Sequence, residues 1–173
     1  MALAEESHQV VGRPTGFPGE RPIVRDGCAF AIAADLADSE NPRLIIEQAV
    51  KHYGRLDILI NNAGNAHGLD PIQDGNLDDW DAMMDINVKG LLYVSKAIIP
   101  GMCERKSGTI INIGSIAGIV GNSISNYSYG PSKAAVHQIT RNLAKDLADS
   151  HIRVNAIAPG RFFSQMTEYV SEN

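Results

Sequence analysis

The segment Thr109-Ile110-Ile111-Asn112-Ile113-Gly114-Ser115 is short, β-branched and apolar, and it stops on a glycine and a serine. It predicts a strand over 109–113 that runs into a turn. Upstream, Trp80, Met83, Met84, Val88, Leu91, Leu92 and Ile98 recur every three or four residues, which predicts one long helix over 77–105. Downstream, Ser128 stands at the start of a second helix as a good N-cap, and Pro131 falls in its first turn, where no intrahelical N–H is needed. Val136, Ile139, Leu143 and Leu147 stripe that helix. Further out, apolar runs at 28–34, 56–60 and 153–157 predict three more strands; the run at 28–34 suits a strand buried on both faces. Leu44, Ile45, Ala49 and Val50 predict a helix between the first two. Strands that alternate with helices imply an α/β fold with a doubly wound parallel sheet. Residues 1–27 carry Gly12, Pro14, Gly16, Pro18, Gly19, Pro22 and Gly27, so they read as an irregular leader before a domain over 28–173.

A chain of 173 residues with 44% hydrophobic and 20% charged content is in the range of one globular domain. A net charge of −5 offers no basic surface, which argues against nucleic acid or an anionic membrane as partner and leaves a small molecule. Cys28 and Cys103 are far apart and outside any metal-ligand spacing, so a structural role is expected for both, with no disulfide and no metal site. The opening Met1-Ala-Leu-Ala-Glu-Glu-Ser-His8 has acids where a signal peptide needs basic and then apolar residues. No run approaches membrane-spanning length, and a cytoplasmic location is the expectation.

Tyr129 and Lys133 lie four residues apart, so on a helix both project from one face. A positive charge beside a phenol favours phenolate and suits acid/base work, although a surface Tyr and an unrelated Lys fit the same spacing. Tyr127 lies six residues from Lys133, on another face. Ser115 sits just beyond a strand, in the crevice where open α/β sheets bind ligands, and its hydroxyl could hold a carbonyl oxygen; an ordinary turn serine is the alternative. Asn62, Ala63 and Gly64 end the preceding strand at the same edge, where small residues allow close approach of a ligand or simply make a turn. Asn87 interrupts the apolar face of the long helix, either solvated or held by a hydrogen bond.

Taken in this order, Asn61-Asn62-Ala63-Gly64, Asn87, Ile113-Gly114-Ser115, Tyr129/Lys133 and Pro159-Gly160 resemble the short-chain dehydrogenase/reductase family, over about residues 28–167. Tyr129-Gly-Pro-Ser-Lys133 and Ile157-Ala-Pro-Gly-Arg-Phe162 are most similar to its 3-oxoacyl-carrier-protein reductase branch. The resemblance implies a Rossmann-like fold and reversible hydride transfer between NADP or NAD and a carbonyl or alcohol, with NADP favoured by the branch. It implies that Tyr129 gives a proton to the carbonyl oxygen, Ser115 orients that oxygen, Lys133 lowers the Tyr129 pKa and holds the nicotinamide ribose, and Asn87 holds a water that links Lys133 to solvent. It also places Asp35 and Leu36 by the adenine, Asn62, Ala63 and Gly64 along the adenosine, and Pro159, Gly160 and Ser164 near the nicotinamide. Helices 77–105 and 128–150 would form a homo-oligomer interface.

The chain departs from the family at its opening. The family's Thr-Gly-x-x-x-Gly-x-Gly brings backbone to a pyrophosphate. Starting at Thr15-Gly16, the later glycine positions hold Glu20 and Pro22; starting at Val11-Gly12, the last holds Pro18. Only residues 17–27 lie where the family fits a helix, a strand and another helix. In its strand order, 3-2-1-4-5-6-7, the strand at 56–60 is then left without a neighbour. The chain also stops before the family's substrate lid and last strand, so the fold is expected to be a truncated one. Two readings follow: an oxidoreductase of this family, or a non-catalytic fragment that associates with family partners through its two long helices.

Overall fold

The structure, a computed structural model, describes residues 10–11, 30–66, 70–121 and 127–160. Its centre is a parallel sheet in the order β3-β4-β5, made of β3 (Ile58–Asn61), β4 (Gly108–Ile113) and β5 (Ile152–Ile157). Thr109 lies opposite Ile58 on one side and Arg153 on the other. Helix α1 (Asn41–Tyr53) precedes β3, α4 (Tyr129–Asp146) follows β4, and between β3 and β4 run α2 (Leu77–Met84), a π turn (Asp85–Gly90) and α3 (Leu91–Glu104).

Local chemistry explains the ends of these elements. Asn76 caps α2 by accepting from the Asp78 N–H at 3.0 Å, and Asp78 and Asp79 meet the positive end of its dipole. Gly54 closes α1 at φ +81°, a conformation that side chains resist, with its N–H donating to Val50 O at 2.8 Å. Gly108 starts β4 hard against α3; a Cβ there would come within 2.4 Å of Met102 Sδ.

Alternation decides the layers. Leu59, Ile110, Ile152 and Val154 point to one face, where Ile45, Val94, Ile98 and Met102 from α1 and α3 complete the core. A polar line crosses the same layer: Asn61 Nδ2 donates to Ser95 Oγ (3.2 Å) and Asn112 Oδ1 (2.9 Å), and Asn112 Nδ2 donates to Thr140 Oγ1 (2.9 Å) on α4. On the opposite face Ile58, Ile60 and Ile157 are 62%, 54% and 52% exposed. The described residues therefore form one wing of a doubly wound α/β sheet, with β3 as its open edge.

Four expectations change. Of the described residues 30–34 only Phe30–Ala31 (β2) is strand, and it pairs antiparallel with Val10–Val11 (β1), inside the segment read as irregular. These two strands form a small sheet apart from β3-β4-β5. The helix over 77–105 is divided by the π turn. Leu44, Val50 and Leu92 are exposed members of their stripes. Ser128 occupies the N-cap of α4 but its side chain makes no capping bond; its carbonyl accepts from Ser132 N at 3.1 Å. The two phosphate-loop registers within 11–22, Cys28, Ser164 and the tail beyond Gly160 lie outside the described residues, apart from Val11.

Candidate active site

The carboxyl ends of β3, β4 and β5 meet the first two turns of α4 and the π turn. Ser115 continues β4 in an extended conformation (φ −165°, ψ 153°), and its Oγ accepts from Ala117 N at 3.2 Å, which starts a 3-10 turn over Ile116–Gly118. One lone pair is thereby used, and the hydroxyl proton is left to donate. Gly118 lets this turn lie on α4: a Cβ there would be 2.5 Å from the Lys133 carbonyl carbon and 2.6 Å from Ala134 N.

Tyr129 is the first residue of α4, half-buried, with the Lys133 Nζ 5.7 Å from its ring centroid. Lys133 is 6% exposed and donates to Ile113 O at 3.0 Å. Burial lowers its pKa to about 8, because the charged form loses water. An ammonium carries three N–H donors and Ile113 O takes one. Gly64 faces this head; a Cβ there would stand 3.3 Å from Lys133 Nζ and 2.9 Å from Asn87 Oδ1. A buried cation with donors to spare beside side-chain-free backbone fits a hydroxyl-bearing ligand such as the ribose of a nicotinamide cofactor.

Asn87 is 2% exposed, so the solvated alternative is excluded. Its Oδ1 accepts from Asn65 N at 2.9 Å, while Nδ2 donates to Asn65 O and Ser132 Oγ, each at 3.0 Å. Ser132 in turn donates to Tyr129 O at 2.8 Å. The asparagine thus fastens the loop after β3 to the first turn of α4.

The remaining sequence-derived positions are more dispersed. Asp35 is exposed and its carboxylate accepts from Ala37 N at 2.9 Å, whereas the Leu36 side chain is 2% exposed in the core beside Gly90. Asn62 and Gly160 are exposed, and Ala63 is half-buried. Pro159 is tied to the serine turn, its carbonyl accepting from Ile116 N at 3.0 Å. Tyr127 turns away, donating to Asn76 O at 2.5 Å above Gly75. Sequence reasoning missed His137, whose Nε2 lies 2.9 Å from Ser115 O. Its spacing, one turn after Lys133, was the available signal.

A phenol, a buried ammonium and a serine hydroxyl stand near the carboxyl ends of a parallel sheet, where open α/β sheets bind ligands. Residues 22–173 match the family described as short chain dehydrogenase, and the chain belongs to that family. It is 38% identical over 138 residues to the 3-oxoacyl-[acyl-carrier-protein] reductase FabG of Thermotoga maritima, covering 80% of this chain and 55% of that one. Among solved structures it resembles the Pseudomonas aeruginosa RhlG/NADP active-site complex (TM-score 0.76, 39% identity, 83% of this chain and 57% of that one). It also resembles an NAD+-bound xylitol dehydrogenase (TM-score 0.77, 34% identity, 81% and 54%). The chain spans 60%, 55% and 59% of the length of three curated relatives that it matches.

Proposed function

We propose that this chain carries the catalytic part of an NAD(P)-dependent oxidoreductase that interconverts a ketone and a secondary alcohol, with 3-oxoacyl thioesters as the favoured substrate class. The observation that carries the reading is the buried Lys133 ammonium standing over Tyr129 with donors left for a ligand. When bound, the cofactor supplies hydride to the carbonyl carbon. Tyr129 Oη releases its proton to the carbonyl oxygen as the new C–H bond forms, and the Lys133 charge stabilises the phenolate left behind. The Ser115 hydroxyl donates to the same oxygen and fixes its direction. Lys133 also donates to the ribose hydroxyls. The Asn87 side chain fastens Asn65 to Ser132, and the residue would hold a water that links Lys133 to solvent.

Asp35 and the Leu36 backbone would border the adenine, Asn62, Ala63 and Gly64 the adenosine, and Pro159, Gly160 and Ser164 the nicotinamide. NADP is favoured over NAD by the likeness to the reductase branch. Assembly into a homo-oligomer through helices 77–105 and 128–150, and a cytoplasmic location, belong to the same proposal.

The test is calorimetric titration of the purified chain with NADPH and NADH. Saturable binding is expected, weakened about tenfold or more by Lys133→Ala, while Tyr129→Phe keeps binding and loses turnover of a ketone panel. A folded chain that binds neither nucleotide would overturn the enzymatic reading.

A further inference from the structure

We propose that His137 is a positioning residue for substrate reduction: its imidazole takes the place beside the end of β4 that β3 leaves open and so fixes the backbone of Ser115. The inference rests on the proposed role of Ser115 in holding the substrate oxygen.

The register of the sheet carries the argument. Thr109 N donates to Asp57 O at 3.0 Å, so odd-numbered residues of β4 turn their backbone groups toward β3. Gly114 N donates to Ile157 O at 2.8 Å and Ile116 N to Pro159 O at 3.0 Å, so even-numbered ones turn toward β5. Strand β3 ends at Asn61, opposite Asn112. Ile113 and Ser115 therefore present carbonyls on a side where the ladder has run out, in a buried place where an unpartnered carbonyl is unfavourable. Two α4 side chains one turn apart continue the ladder. Lys133 Nζ donates to Ile113 O at 3.0 Å, and His137 Nε2 stands 2.9 Å from Ser115 O.

A carbonyl oxygen only accepts, so the 2.9 Å contact requires the proton on Nε2. The Ser115 N–H, 3.4 Å from the same nitrogen, is the weaker contact. The ring is held by packing as well. A Cβ on Gly114 would lie 2.3 Å from its Cε1, so the glycine provides the seat in which the imidazole rests. Ser115 is thus fastened by β5 on one side and by α4 on the other, which sets the direction of the hydroxyl whose lone pair receives Ala117 N–H.

The experiment compares His137→Leu, which fills the space without a donor, with His137→Gln, which restores an N–H near Nε2, and uses Ser115→Ala as reference. Steady-state ketone reduction, NADPH affinity and amide exchange at Ala117 and Ile110 are measured. His137→Leu is expected to lower kcat about tenfold, leaving KM and NADPH affinity within about twofold. Exchange at Ala117 should rise about tenfold while Ile110, deep in β4, is unchanged. His137→Gln should return both quantities to within about threefold of the parent. If His137→Leu does not fold, His137→Gln and His137→Asn make the same comparison, because asparagine is too short to reach; equal behaviour of the two overturns the proposal. Parent-like kcat and Ala117 exchange in His137→Leu, with turnover lost in Ser115→Ala, would overturn the role of His137 alone. Unchanged turnover in Ser115→Ala would overturn the serine reading and with it the effect on catalysis, and Ala117 exchange then decides whether His137 holds the turn.

Discussion

Lys133 holds a cation where water is nearly excluded, and that cost depends on pH. Its pKa falls from 10.5 to about 8 on burial, so between those values the folded state binds fewer protons than the unfolded one. Stability gains from this group as pH rises through that window, by up to about 3 kcal/mol, whereas below pH 8 both states are protonated and the full penalty remains. Urea denaturation of the parent and Lys133→Met between pH 7.5 and 10.5 should show the parent gaining relative to the variant; parallel curves would exclude the effect. At neutral pH the ammonium is retained, which is the form the proposed mechanism uses. Tyr129, Lys133, Ser115 and Asn87 were singled out in the sequence by the family resemblance, since each taken alone also had an ordinary reading; the fold brings Lys133 to the Tyr129 ring and buries Asn87. His137 left only its place one turn after Lys133 as a signal. It sits among Val136, Lys133 and Thr140 on α4, and only the folded chain shows that Gly114 lies beneath its ring.

The π turn is the element that brings the loop after β3 to α4. An extra residue in the helical path lets Asn87 face inward, and its three bonds to Asn65 and Ser132 give that irregularity its return. Asn87→Leu would leave the Asn65 N–H and C=O without their partner, at a cost of about 2–4 kcal/mol, measurable by urea denaturation together with faster exchange of the Asn65 amide. A variant within about 0.5 kcal/mol of the parent would show that the loop is held by other contacts. Gly118→Ala tests the other joint. The methyl would meet the α4 backbone at 2.5 Å, and backbone cannot rotate away, so a loss of about 2–3 kcal/mol and displacement of the serine turn are expected. Periodicity revealed the helical content of 77–105 but not the break, since a π turn shifts the stripe without interrupting it. Leu91 at 7% and Leu92 at 39% exposure show where the phase changed. The pairing of Val10–Val11 with Phe30–Ala31 was hidden for a different reason: two-residue strands leave no period to read.

At the scale of the whole molecule, the parallel order of β3, β4 and β5 followed from strands alternating with helices, but the sequence could not show which face would be covered. Among the described residues, helices α1, α3 and α4 engage the face of Leu59, Ile110 and Val154, so Ile58, Ile60 and Ile157 line an apolar face beside β3, the edge of the described sheet. Two surfaces can therefore bring copies of the chain together, and they make different predictions. Association through the sheet is unspecific and grows with concentration, because an edge strand and exposed isoleucines accept any similar surface. Association through α3 and α4, as proposed, would be a packed, closed interface. Ile58→Thr with Ile60→Thr keeps the β-branched shape that strands favour while removing apolar surface, and folding stability should change by less than about 0.5 kcal/mol per site. Binding of a hydrophobic dye and the large species in sedimentation velocity should both fall in the double variant, while a discrete oligomer built on the helices stays. If the discrete species disappears instead, the sheet face rather than the helix pair is what joins the copies.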